Sequence, residues 1–137
     1  MAKIYHGSCL CDSVQFTMTG EPFTYFVCHC KNCQKSSGSA FMANAFFKPE
    51  QVVITKGKEH VKVYIDAKTK SGEVVPRSFC SSCGSSLFLG NEEKLKIVAS
   101  GTVEEEVDWV PRRESFAECK RQWIEGIKTN PKRRSKL

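Results

Sequence analysis

Seven of the chain's eight cysteines fall in three short clusters, Cys9-Leu10-Cys11, Cys28-His29-Cys30-Lys31-Asn32-Cys33 and Cys80-Ser81-Ser82-Cys83. Clusters this tight restrict the fold, because each must bring its sulfurs to a common locus or oxidise. The start, Met1-Ala2-Lys3-Ile4-Tyr5-His6-Gly7, has no apolar signal region, so a secreted disulfide scaffold is not expected. Clustered cysteines that stay reduced imply metal. No stretch approaches the ~20 apolar residues that cross a bilayer, which argues against a membrane partner. At 137 residues, 40% hydrophobic and 26% charged, the chain is one ordinary domain able to build a core without staples. A protein of the cytoplasm, the nucleus or both is the expectation.

The spacings specify what each cluster can hold. Two cysteines separated by two residues can turn both sulfurs toward one ion, and Gly84 after Cys83 permits the turn. Cys9 and Cys11 with Cys80 and Cys83 make four thiolates, a closed tetrahedral zinc site that would tie the N-terminal segment to the far half of the chain. The middle cluster, Cys28, Cys30 and Cys33, is one ligand short. Zinc on three protein ligands with an open position is the usual catalytic arrangement, and a soft thiolate site favours an incoming thiol. Two zinc ions per chain are therefore expected. The alternative is a second structural site completed by Cys119 or His29. Of these, Cys119 reads better as a buried cysteine, and His29 as pointing away from the metal. Lys31 and Lys35 flank the cluster and would offset its charge or attract an anion. His6 and His60 have no partner in sequence and read as structural or surface residues.

Alternating and β-branched runs predict strands at 14–18, 23–27, 40–47, 52–54, 60–65, 87–89 and 95–99. The run 74–79 contains Pro76, which predicts an edge or bulged strand. Phe116, Cys119, Trp123 and Ile127 then recur at three and four residues, predicting one amphipathic helix over 115–127. The fold class is mainly β with one C-terminal helix, in a domain over 1–127 and a basic tail over 128–137 expected to be disordered. The net charge of +6 belongs to that tail: without Lys128, Lys132, Arg133, Arg134 and Lys136, 16 basic residues face 15 acidic ones. Any nucleic-acid contact is expected through the tail alone.

Gly7-Ser8-Cys9-Leu10-Cys11, the run from Cys28 to Ser39 and Phe79-Cys80-Ser81-Ser82-Cys83-Gly84-Ser85 together resemble the glutathione-dependent formaldehyde-activating (GFA) family, which includes centromere protein V. The resemblance spans roughly residues 4–127. It implies a β-tent of small antiparallel sheets around two zinc ions, one held by Cys9, Cys11, Cys80 and Cys83, the other by Cys28, Cys30 and Cys33. The implied activity is that of a carbon–sulfur lyase acting on S-hydroxymethylglutathione, the adduct of formaldehyde and glutathione. The three middle cysteines are then the catalytic group. Ser37, Gly38 and Ser39 are candidates for binding the glutathione carboxylates. Asp12 stands where many members carry glycine after the Cys-x-Cys pair. The competing function is a non-catalytic zinc-binding module, either a glutathione carrier or a chromatin- or microtubule-associated protein.

Overall fold

The computed structural model describes residues 2–90 and 93–131, so that Lys132, Arg133, Arg134 and Lys136 of the basic tail lie outside the described residues. In chain order the elements are β1 (Ile4–Ser8), β2 (Gln15–Thr19), β3 (Thr24–Cys28), α1 (Lys31–Ser37), β4 (Met42–Phe47), β5 (Val52–Lys56), β6 (Val61–Asp66), β7 (Val75–Cys80), β8 (Ser86–Leu89), β9 (Lys96–Ala99) and β10 (Arg113–Ser115). The expected strands are all present, shifted by a residue or two at their ends. β1 and β10 are additions.

Two sheets result. β1, β2 and β5 form an antiparallel sheet in the order β1-β2-β5. The other seven strands form a sheet in the order β10-β3-β4-β9-β8-β7-β6. It is antiparallel throughout except for β10, which runs parallel to β3. β7, with Pro76, is neither an edge strand nor itself bulged: it lies inside the sheet in unbroken register with β6, and the register shift on its other side, between Ser78 and Phe79, leaves the extra residue, Leu87, on β8. The proline opposes Ile65 on β6, and its carbonyl accepts from the Gly90 amide at 3.1 Å.

Strand alternation divides the core in two. Successive residues of a strand face opposite sides, so β4 gives Ala45 and Phe47 to one cluster and Met42 and Phe46 to the other. β9 does the same with Val98 on one side and Ile97 and Ala99 on the other. Cys9 and Cys80 are buried in the first cluster with Phe16, Met18, Leu87 and Phe88. Cys28, Cys30 and Cys33 are buried in the second. The three-cysteine group thus sits inside one apolar core, whereas the four-cysteine group is anchored in the other through Cys9 and Cys80, with Cys83 half-buried and Cys11 exposed.

The C-terminal segment is not the helix expected over 115–127. Arg113, Glu114 and Ser115 pair with Phe26, Val27 and Cys28, and the His29 amide donates to the Ser115 carbonyl at 3.0 Å. Phe116 then takes a left-handed backbone (φ 54), followed by a single 3-10 turn over Ala117–Cys119 and irregular chain. Strand pairing satisfies the backbone that a helix would otherwise have used, and a left-handed residue ends any helical path. Trp123, expected on a buried helix face, is 73% exposed. The helix of this fold is α1, between the first two strands of the large sheet. No helix among the described residues is long and apolar enough to cross a membrane.

Gly57, after β5, shows how tightly the small sheet is set against the first thiol loop. It has φ +79, and a Cβ there would lie 1.7 Å from the carbonyl oxygen of Ser13. Both the left-handed backbone and the clash oppose any side chain. Gly57→Ala is therefore expected to lower stability by about 2 kcal/mol or more, seen as a fall in Tm of the metal-loaded protein.

Candidate metal and thiol sites

Cys9 and Cys11 occupy the loop between β1 and β2, whereas Cys80 ends β7 and Cys83 lies in the turn before β8. The two loops are joined by the Leu10 amide, which donates to the Ser85 hydroxyl at 2.9 Å. The four sulfurs lie within 4.8 Å of one another. The separations Cys9–Cys11 and Cys11–Cys80 are 3.7 and 3.9 Å. A tetrahedron of sulfurs about 2.3 Å from a zinc ion has edges of about 3.8 Å. The spacing therefore fits zinc and is far longer than the ~2.05 Å of a disulfide bond.

The loops are also built to carry negative sulfur. Amides of Val14 and Ser82 donate to Cys9 and Cys80 at 3.2 and 3.3 Å. A hydrogen bond with the Ser85 hydroxyl holds the Cys83 thiol down to about 5, and Ser13 lowers Cys11 in the same way. Burial pushes Cys9 up to about 11. Two left-handed turns close the loops. Gly84 has φ 78 and donates to the Cys80 carbonyl at 2.8 Å, and Asp12 has φ 63 and donates to the Cys9 carbonyl at 3.1 Å. Asp12 thus makes the turn that glycine makes elsewhere, a conformation that aspartate tolerates better than most residues.

The second group is assembled by a strand end and a helix start. Cys28 ends β3, Cys30 caps α1, and Cys33 is in its first turn, with the Cys33 amide donating to the Cys30 sulfur at 3.3 Å. All three are buried, and their sulfurs lie within 4.8 Å of one another. Neither alternative fourth ligand joins them. The His29 ring is fully buried but turned to Glu114, with Nε2 2.9 Å from its carboxylate and the ring against Phe41. Cys119 is half-buried in the 3-10 turn rather than on a helix face, and its sulfur accepts from Lys70 at 3.4 Å. The donor set is three soft thiolates, which fits zinc with one coordination position left over.

The charge on this group is met by Arg77 rather than by Lys31 and Lys35. Both terminal nitrogens of Arg77 are 3.8 Å from the Cys33 sulfur. Its Nε donates to Asp66 at 2.8 Å, and Asp66 accepts from Asn32 at 2.9 Å. Against the effect of burial, hydrogen bonds from Asn32 and Arg77 hold the Asp66 carboxyl below its ordinary range. A hydrogen bond from Cys28 and, against burial, the Arg77 charge hold Cys33 down to about 6. Cys28, sharing its proton with Cys33 and buried, is pushed up, and burial raises Cys30. Cys33 is therefore the most readily ionised sulfur of the three.

Cys28, Cys30 and Cys33 line a cavity of about 160 Å³. Phe26, Phe46, Val75, Leu89 and Phe116 wall it, Thr69, Lys70, Ser71 and Arg77 also border it, and Asn44 lines it from β4. The Ser37-Gly38-Ser39 run lies elsewhere, at the other end of α1. The Ser37 hydroxyl is engaged with the Cys33 carbonyl at 2.7 Å. Gly38 and Ser39 line a separate groove with Lys31, Lys35, Arg121 and Trp123. Sequence reasoning missed Arg77, Asp66, Lys70 and Asn44. For Arg77 the signal was present: three residues before Cys80 on one strand, it must face away from the first thiol group.

Two sheets carrying one group of four and one group of three clustered cysteines, each able to hold a metal ion, define the class of this β protein. Residues 4–119 match the family model described as glutathione-dependent formaldehyde-activating enzyme, and the chain belongs to that family. It is 28% identical over 129 residues to the Halomonas elongata protein named "Putative glutathione-dependent formaldehyde-activating enzyme", a match covering 89% of this chain and 80% of that one. Its fold is similar to the crystal structure of a Rhodobacter sphaeroides protein from a structural genomics programme. That likeness has a TM-score of 0.59 at 16% identity and covers 75% of this chain and 91% of the other.

Arg77 brings its positive charge to 3.8 Å from the Cys33 sulfur of the three-cysteine group. Arg77→Met should weaken zinc retention at this group by roughly 10–100-fold and leave the four-cysteine group unaffected. A chelator titration that releases the ions in two phases measures both effects.

Proposed function

We propose that the chain is a zinc-dependent carbon–sulfur lyase, making and breaking the bond between glutathione, or a similar small thiol, and formaldehyde. The observation that carries this reading is the cavity of about 160 Å³ lined by three buried cysteines and by Lys70 and Arg77. Cys9, Cys11, Cys80 and Cys83 would hold a structural zinc, and Cys28, Cys30 and Cys33 a second one. When bound there, the second zinc would supply Lewis acidity and stabilise an incoming thiol as thiolate.

The chain's own groups supply the rest. Arg77, fixed by Asp66, adds to the hydrogen bond from Cys28 in lowering Cys33 and offsets the charge of the thiolates. Phe26, Phe46 and Phe116 keep bulk water from the thiol–aldehyde adduct. The Lys70 ammonium faces anions in its surroundings, pairing with Glu118 at 3.2 Å, and is placed to receive a glutathione carboxylate. Gly38 and Ser39, just past the far end of α1, about 10 Å along the helix from its start beside the cysteines, are proposed to meet the far end of the tripeptide. In bond formation the sulfur's electron pair joins the aldehyde carbon, the C=O pair moves to oxygen, and that oxygen takes a proton. Cleavage reverses each movement, returning a thiolate, an aldehyde and a proton.

The test compares S-hydroxymethylglutathione formation by zinc-loaded wild type and Cys30→Ser with the uncatalysed reaction. The wild type should exceed the background by roughly 10-fold or more, and Cys30→Ser should fall to it while keeping the first zinc. Wild type and variant both at the background rate would remove the enzyme reading. Glutathione binding without acceleration would instead make the chain a carrier.

A further inference from the structure

Met42, Asn44 and Phe46 alternate onto one face of β4, the face that turns toward the three-cysteine core. Met42 is buried there and Phe46 packs against it. Asn44, between them, is only 5% exposed and lines the cavity. Its side-chain oxygen has no hydrogen-bond partner among the described residues. Its neighbours across the strands are Phe26 on β3 and Ala99 on β9, which have no side-chain donor to offer. A leucine, with the same number of side-chain heavy atoms, would pack against Phe26, Phe46 and Leu89 without the penalty of a buried, unpaired amide. An amide kept in such a wall marks the point where a bound molecule presents a polar group.

The cavity limits what that group can be. At about 160 Å³ it is well below the roughly 300–1,000 Å³ of sites for drug-sized ligands. It admits the sulfur end of a thiol with a one-carbon substituent, while the rest of a tripeptide must lie across the border. Phe26, Phe46 and Phe116 leave little space for the longer carbon chain of a larger aldehyde.

We infer that Asn44 is the specificity residue of this site: its amide oxygen accepts the O–H of a hydroxymethyl group on the ligand's sulfur, so the cavity selects one-carbon hydroxyl adducts of a thiol over its simple alkyl thioethers. This inference rests on the thiol–aldehyde reading above and names the part of the substrate that the chain recognises. A site built to bond a hydroxyl discriminates strongly against an analogue that lacks it, because the buried acceptor is then left unpaired.

The experiment measures binding of S-hydroxymethylglutathione, formed from glutathione and excess formaldehyde, and of S-methylglutathione, which lacks only the hydroxyl. Zinc-loaded wild type, Asn44→Leu and Asn44→Asp are compared by calorimetry, with zinc content measured alongside. Any contribution of the metal is common to the proteins and cancels in the comparison of ratios. The wild type should bind the hydroxymethyl compound roughly 10-fold or more tightly than the methyl one. Asn44→Leu should cut that ratio about 10-fold without weakening S-methylglutathione, and Asn44→Asp, which keeps an acceptor oxygen, should restore most of it. If Asn44→Leu loses zinc, Asn44→Ala is read the same way. An unchanged ratio in a zinc-replete variant lacking the amide would overturn the inference and leave the lyase reading standing. A wild type that binds neither compound would overturn both.

Discussion

The convergence of four sulfurs from two distant loops is the constraint on which the rest of the molecule depends. Cys11 and Cys80 stand 69 positions apart in sequence and 3.9 Å apart in space. Closing so long a loop costs chain entropy, and thiolates held this close repel one another unless a cation sits among them. With an ion bound, both costs turn into a coupling between metal binding and folding. The small sheet and the large sheet meet at this point. Cys9 and Cys80 lie in the same core as Phe16 and Phe88, whose rings meet edge to face at 4.8 Å. The Gly7 position, where a Cβ would lie 2.2 Å from the Phe16 ring, shows that the strand leading to Cys9 is pressed against this core.

The large sheet makes two chemically different sites from one scaffold. Alternation along β7 sends Cys80 to the four-sulfur side and Arg77 to the three-sulfur side. Alternation along β4 puts Ala45 and Phe47 behind the first group and Asn44 on the cavity of the second. The first site has short hydroxyl and amide contacts around its sulfurs and is bordered by packed side chains. The second has an arginine, a carboxylate that fixes it, and a cavity beside the thiolates. Pre-organised charge next to an accessible soft-ligand site is what a reacting thiol needs.

What could be read from the sequence was what is local. Cys-x-Cys, Cys-x-x-Cys and the turn glycine act over a few residues, and period-two patterns such as Gln15-Phe16-Thr17-Met18 place strands with little help from the rest of the chain. The C-terminal segment failed for the opposite reason. Phe116, Cys119, Trp123 and Ile127 have helical spacing, but Glu114 finds its backbone neighbour at Val27 and its carboxylate meets His29 and Lys120. Val27 and His29 are remote in sequence, so no pattern within the segment points to them. Asn44 was hidden differently. Its place on β4 gives its face, but only the assembled walls of Phe26, Leu89 and Phe116 show that this face borders a cavity.

The central claim is that the three-cysteine group holds zinc with a position open to a thiol. Zinc-edge X-ray absorption on the two-zinc protein tests it most directly by counting sulfur neighbours with and without glutathione. One closed and one open site give about 3.5 sulfurs per zinc, the average of four and three, and saturating glutathione should raise that number to about 4. Four sulfurs per zinc before any thiol is added, or no change on adding it, would contradict the account.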